Sequence, residues 1–257
     1  MRSTQQKPID FVEEKRKAPE EFDNFVLDFV SDSLKKGEIK LPEDTIKIEG
    51  LSIRYWTNVG GLAGDDKKRR TVVLFHGNAL SLDSWKKTKT LEKLSSKGYR
   101  VFAIDLPAGK GSMSDKLSPK VLKNDPDRIL MVIDKLFDAL DVGDSPFAIV
   151  GPSMGGGFAL AYALSRPKSV GALVLVSPSV YRIAEQEKSK LSGLDIPVLL
   201  VWGERDKVFP LYEYGKPLKE TLPRAKLLIV KQAGHGAYLD KPDEFNELLL
   251  DFISEVM

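Results

Sequence analysis

Apolar residues along this chain follow two alternating rhythms, short unbroken runs and longer stretches in which they return every three or four positions. The runs at 71–75, 100–104, 147–150, 170–176, 198–202 and 225–230 read as strands buried on both faces. Helical spacing covers 84–97, 125–140, 154–166, 211–222 and 243–256. Ahead of these lie 45–48 and 51–57, parted by Glu49-Gly50, which read as an antiparallel pair opening the sheet. Strands alternating with helices predict an α/β fold: an eight-stranded, mostly parallel sheet with helices on both faces and a ligand site at the strands' carboxyl ends.

A separate signal precedes the sheet. Residues 19–36 begin at Pro19, carry Glu20 and Glu21 in the first turn, place Phe22, Phe25, Val26, Phe29 and Val30 on one face, and end in Lys35, Lys36 and Gly37. That pattern predicts an amphipathic helix within an N-terminal extension, 1–44, ahead of one domain, 45–257. A stripe this wide is expected to pack on its own body; covering the site or docking a protein partner are the alternatives.

Composition narrows the chemistry. With 39 basic and 37 acidic residues the formal charge is +2, too weak a field to suggest nucleic acid. The run Lys67-Lys68-Arg69-Arg70 sits between strand signals and reads as a solvated hairpin tip rather than a binding patch. No cysteine is present, which excludes disulfides, thiol nucleophiles and thiolate metal sites. Two histidines, both otherwise employed, leave no transition-metal site expected, and no cofactor is implied. No apolar stretch approaches the roughly 18 residues of a membrane helix, and the first residues resemble neither a secretory nor an organellar leader, so a cytoplasmic protein without membrane association is expected.

The reactive group is written at 151–155, Gly151-Pro152-Ser153-Met154-Gly155, between a strand run and a small-residue helix. A serine on so sharp a turn takes a strained backbone costing about 1–3 kcal/mol, and neighbours two positions away without Cβ atoms let strand and helix close up. The hydroxyl of Ser153 then stands clear of the sheet while the Met154 amide faces a developing oxyanion. Of the two possible bases, His235 lies in the glycine-flanked loop Ala233-Gly234-His235-Gly236. His76 instead follows an early strand, in a loop that supplies a second oxyanion donor, expected to be the Asn78 amide. In this architecture the carboxylate comes between serine and histidine in chain order, after the strand at 198–202; Asp206 is expected, with Glu204 the alternative.

Together these stretches resemble the α/β-hydrolase-fold serine hydrolases. The resemblance spans 46–257 and rests on Leu74-Phe75-His76-Gly77-Asn78, on Gly98-Tyr99-Arg100-Val101-Phe102-Ala103-Ile104-Asp105-Leu106-Pro107, on Gly151 to Gly156, on Trp202-Gly203-Glu204-Arg205-Asp206, and on Ala233-Gly234-His235. The closing run from Tyr238 to Phe245 is similar to small lidless alpha/beta hydrolase domain-containing members. Two departures stand out. The glycines after Pro107 are displaced by one, as Ala108-Gly109-Lys110-Gly111-Ser112, and Pro152 replaces the polar residue common before the serine.

The resemblance implies an acyl-enzyme mechanism on Ser153, cleaving a carboxylic ester, thioester or related acyl bond of a small-molecule substrate. Only about 20 residues separate Ser177 from Ile196, too few for a lid domain, so small or surface-presented acyl groups are expected. Leu80, Trp85, Leu106, Tyr181, Val208 and Tyr238 are expected to line the substrate pocket. The alternatives are non-hydrolytic use of the same triad, as acyl transfer, perhydrolysis or lyase action, and a catalytically silent scaffold of the same fold. Carboxylate-nucleophile relatives are disfavoured because position 153 is serine.

Overall fold

The computed structural model describes residues 43–59, 69–125, 127–143, 145–180 and 189–257. The 19–36 helix and Tyr181 therefore lie outside the described residues. The eight strands are β1 (Glu43–Ile48), β2 (Leu51–Thr57), β3 (Thr71–Phe75), β4 (Arg100–Ile104), β5 (Phe147–Pro152), β6 (Val170–Val176), β7 (Val198–Gly203) and β8 (Ala225–Val230). They form one sheet in the order β1-β2-β4-β3-β5-β6-β7-β8, in which β1 with β2 and β2 with β4 pair antiparallel and the others pair parallel. Every residue of β3, β4, β5 and β7 is buried, which is why these strands read as solid apolar runs. The edge strand β8 alternates less cleanly and leaves Leu228 and Ile229 exposed.

The helices are α1 (Asp83–Lys87), α2 (Thr90–Ser96), α3 (Pro119–Asn124), α4 (Asp127–Ala139), α5 (Ser153–Ser165), α6 (Lys216–Thr221), α7 (Ala237–Asp240) and α8 (Pro242–Val256). They seal two cores, one on each face of the sheet. One face packs α4 and α5 on the sheet, with Phe137 edge-on to Phe147 at 5.3 Å and to Tyr162 at 5.2 Å. The other holds Trp85, Tyr238 and Phe245 against the opposite face, with Leu249 and Phe252 of α8 beside them. Each such side chain contributes about 1.5–3 kcal/mol by leaving water. Among the described residues no helix is long and apolar enough to cross a membrane.

The structure departs from sequence expectation where distant residues intervene. The single helix expected over 84–97 is broken at Lys89, which takes a left-handed φ of 57°. Asn246 of α8 fixes the break: its side-chain amide donates to Thr88 O at 2.8 Å and its Oδ1 accepts from the Thr90 hydroxyl at 2.8 Å. Helix α3 was not expected, although Ser118 caps it by accepting from the Val121 amide and Pro119 opens it. The helix expected over 211–222 opens with a wide π turn, Leu211–Gly215, where a Cβ on Gly215 would stand 2.9 Å from the Trp202 ring. Strand β5 also runs on through Gly151 and Pro152, paired with Leu175 and Val176, instead of ending at Val150. Proline is tolerated there because β3 pairing stops at Val150, leaving no ladder partner on that side for a Pro152 amide to serve.

Candidate active site

Ser153 stands where β5 turns into α5, with a left-handed φ of 48°. The glycines around it answer to contacts. A Cβ on Gly151 would lie 2.7 Å from the Gly155 carbonyl, and one on Gly155 would lie 2.5 Å from His76 O, backbone that cannot swing aside. The turn is thus packed between the start of α5 and the end of β3. Met154 is the second residue of α5, so its N–H has no intrahelical acceptor and is available to a ligand. Its side chain is buried beside Gly109.

Asp206 and His235 meet at the ends of β7 and β8. His235 Nδ1 lies 2.9 Å from Asp206 Oδ2, and both side chains are almost wholly buried. Oδ1 of the same carboxylate accepts the Val208 and Phe209 amides, each at 2.9 Å, so the acid is oriented from three directions. A carboxylate facing Nδ1 favours the tautomer with its proton there, leaving Nε2 as the basic nitrogen. The two loops are tied together by the Arg205 amide on Ala233 O at 2.8 Å, and Gly203 passes so close to Gly234 that no Cβ would fit. Glu204, the alternative acid, is exposed and accepts the Gln232 amide at 2.9 Å rather than the imidazole. Sequence reading missed Phe209, whose ring packs edge-on to the imidazole with centroids 5.2 Å apart. Its carbonyl accepts the Trp202 indole N–H at 2.7 Å, which locks the ring's backbone in place.

The loop after β3 runs beside the serine: a Cβ on Gly77 would sit 3.9 Å from Ser153 Cβ, and Asn78 follows it. His76 is fully buried and holds this loop. Its Nε2 accepts the Leu106 amide at 2.9 Å, which assigns the proton to Nδ1, 2.7 Å from Gly77 O. Burial pushes its pKa down, so it stays neutral. The displaced glycines of 108–112 now have a cause. Gly109, at φ 93°, lies where a Cβ would come within 2.9 Å of Asn78 O, and Gly111 passes so close to Ala79 that no Cβ fits, while its amide donates to Asn78 O at 3.0 Å.

A charged hub, also missed by sequence reading, anchors the same loops. Arg54 of β2 donates to Asp105 at 2.9 Å and forks onto Asp83 at 2.9 and 3.0 Å, while buried Asp105 accepts the Leu82 amide at 2.5 Å. Burial opposes ionisation of Asp83, yet hydrogen bonds from Arg54 and Ser81 hold its carboxyl below the usual range. The one available signal was Asp105 at the end of a strand run.

Of the expected pocket residues, Leu80, Trp85, Leu106 and Tyr238 are all buried. Trp85 donates its indole N–H to Phe75 O at 3.1 Å and stacks obliquely on Tyr238 at 4.7 Å, so this pair supports the β3 end from the core. Burial pushes the Tyr238 phenol up. Val208 is half-buried, and its amide serves Asp206. Among the described residues no three His, Cys, Asp or Glu side chains gather to hold a metal ion.

This topology, with a strained serine after β5, a carboxylate after β7 and its imidazole after β8, is that of an α/β hydrolase. The chain belongs to that family: the alpha/beta hydrolase fold model matches residues 70–189 and 179–242. It is similar to human "Putative protein-lysine deacylase ABHD14B", 31% identical over 212 residues that cover 82% of this chain and 94% of the relative. It also resembles Protein ABHD14A of Mus musculus, 30% identical over 189 residues covering 73% and 72% of the two chains. Among solved structures, a predicted CIB-like hydrolase from Thermoplasma acidophilum superposes with a TM-score of 0.71 at 28% identity, covering 84% of this chain and 99% of that one. These relatives support an enzyme of the hydrolase type.

Proposed function

We propose that the chain is a serine hydrolase that cleaves acyl bonds through an acyl-enzyme on Ser153. The observation that carries the reading is the 2.9 Å contact between the imidazole of His235 and an Asp206 carboxylate fixed by two amides, in a fold whose β5 is followed directly by a strained serine. His235 takes the Ser153 proton as the hydroxyl oxygen attacks the carbonyl carbon. Asp206 stabilises the imidazolium, and the amides of Met154 and Asn78 receive the oxyanion. Collapse of the tetrahedral intermediate breaks the bond to the leaving group, which takes the proton from His235. Water then repeats the sequence and releases the acid.

Small or surface-presented acyl groups are the substrate class, because about 20 residues between Ser177 and Ile196 make no lid domain. An acyl group on a lysine side chain fits that description, and the name of ABHD14B points the same way. The test is a panel of chromogenic esters and thioesters of graded length plus acyl-lysine peptides, run beside Ser153→Ala and an organophosphorus serine probe. Turnover and labelling that both vanish in Ser153→Ala are expected. Turnover that survives in that variant refutes the mechanism, and preference for long-chain triacylglycerol over acetyl and butyryl esters refutes the substrate class.

A further inference from the structure

At the end of the sheet opposite Ser153, the starts of β3, β4, β5 and β6 surround a cavity of about 640 Å³. Among the described residues that line it are three arginines, Arg69, Arg70 and Arg100, and one acidic residue, Asp141. The segment read from sequence as a solvated basic tip therefore ends, at Arg69 and Arg70, on the rim of this cavity. Arg100 opens β4 beside them, its amide donating to Arg70 O at 3.0 Å. It is only 3% exposed, and it uses two of a guanidinium's five N–H groups on neutral acceptors, Asp141 O at 2.7 Å and Val142 O at 3.4 Å. Its Nε–H is buried with no hydrogen-bond partner among the described residues. A buried cation held by carbonyls keeps its full charge, and its field favours an anion beside it.

We infer that this cavity binds a small phosphorylated metabolite, its phosphoryl group held by the three guanidinium groups of Arg69, Arg70 and Arg100. Guanidinium forks match the tetrahedral oxygens and the double charge of a phosphate. The cavity falls in the range of small-ligand sites, roughly 300–1,000 Å³, and a lone phosphate would leave most of it to water. Thr71 and Ser145 add hydroxyls to the lining, suited to the polar remainder of such a ligand. The site lies across the sheet from the acyl chemistry, so its occupancy is independent of Ser153.

Calorimetric titration of the full chain at constant ionic strength tests this, with inorganic phosphate, glucose 6-phosphate and malonate as probes. Saturable binding of glucose 6-phosphate at least as tight as that of inorganic phosphate is expected. Arg70→Gln and Arg69→Gln/Arg70→Gln should weaken it about tenfold or more, the loss typical of a charge-assisted contact. Ser153→Ala should bind like wild type. Because Arg100 is buried, Arg100→Lys is read alongside a melting curve, and the exposed Arg70 keeps the test valid if that variant misfolds. No saturable binding, unchanged affinity in the Arg70 variants, exclusion of glucose 6-phosphate while inorganic phosphate binds, or preference for malonate would each overturn the inference.

Discussion

The strain at Ser153 can be weighed against its chemistry by two substitutions at one position. Ser153 holds a φ of 48°, a region an L-residue enters at a cost of about 1–2 kcal/mol, whereas glycine enters it freely. Ser153→Ala removes the hydroxyl and keeps the Cβ, so the strain stays; Ser153→Gly removes both. Glycine also loosens the unfolded chain, which costs roughly 0.4–1 kcal/mol. The difference leaves Ser153→Gly more stable than Ser153→Ala by about 0.8 kcal/mol at the midpoints and at most about 1.6 kcal/mol. For a domain of this size, 1 kcal/mol moves the melting temperature by roughly 2–4 °C. Calorimetric melts and urea titrations of both variants therefore read the backbone strain without the hydroxyl, and both variants should be inactive. An alanine variant more stable than the glycine variant by about 0.4–1 kcal/mol, the unfolded-chain effect alone, would show that the turn carries no strain, and the argument from conformation to nucleophile would fail.

Asp206→Asn should lower kcat by roughly 10³–10⁴-fold with folding retained, because the amide can still accept the Val208 and Phe209 N–H groups but no longer opposes an imidazolium. Glu204→Gln should leave kcat unchanged, and steady-state kinetics that reverse the two would reassign the acid. In Gly155→Ala the new Cβ meets His76 O at 2.5 Å, so the gain of about 1 kcal/mol in helix propensity is outweighed; denaturant titration should show a net loss above about 2 kcal/mol. His76 titrates near 6.5 unfolded and lower when folded, because burial disfavours its charge, so the unfolded state binds the extra proton first. Its contribution is fully present above about pH 6.5 and is lost as pH falls toward the folded value, at about 1.4 kcal/mol per pH unit. Unfolding free energies of wild type and His76→Asn between pH 7 and 5 should differ by that slope, and parallel curves would contradict the buried neutral histidine.

Which parts of this molecule could be read in advance follows from the range of the forces that set them. Strands β3 to β8 were legible because burial on both faces writes an apolar run into each, and the boundaries of β3, β4, β6 and β8 coincide with those runs. The carboxylate–imidazole pair was legible because chain order and strand ends constrain it, and the 2.9 Å contact falls on Asp206 rather than Glu204. What stayed hidden depends on partners far along the chain. Asn246 breaks a helix 156 residues away, Phe209 flanks a histidine from another strand's end, and Arg54 gathers Asp83 and Asp105 from two loops. The 108–112 loop shows the same logic at the site itself. In sequence its glycines look misplaced by one, yet Gly109 and Gly111 are the positions that meet Asn78 and Ala79, backbone against backbone. A side chain at either would push away the loop that carries the expected oxyanion amide. The spacing is therefore set by the approach of two loops, and restoring the family's usual order here should cost oxyanion stabilisation rather than improve it.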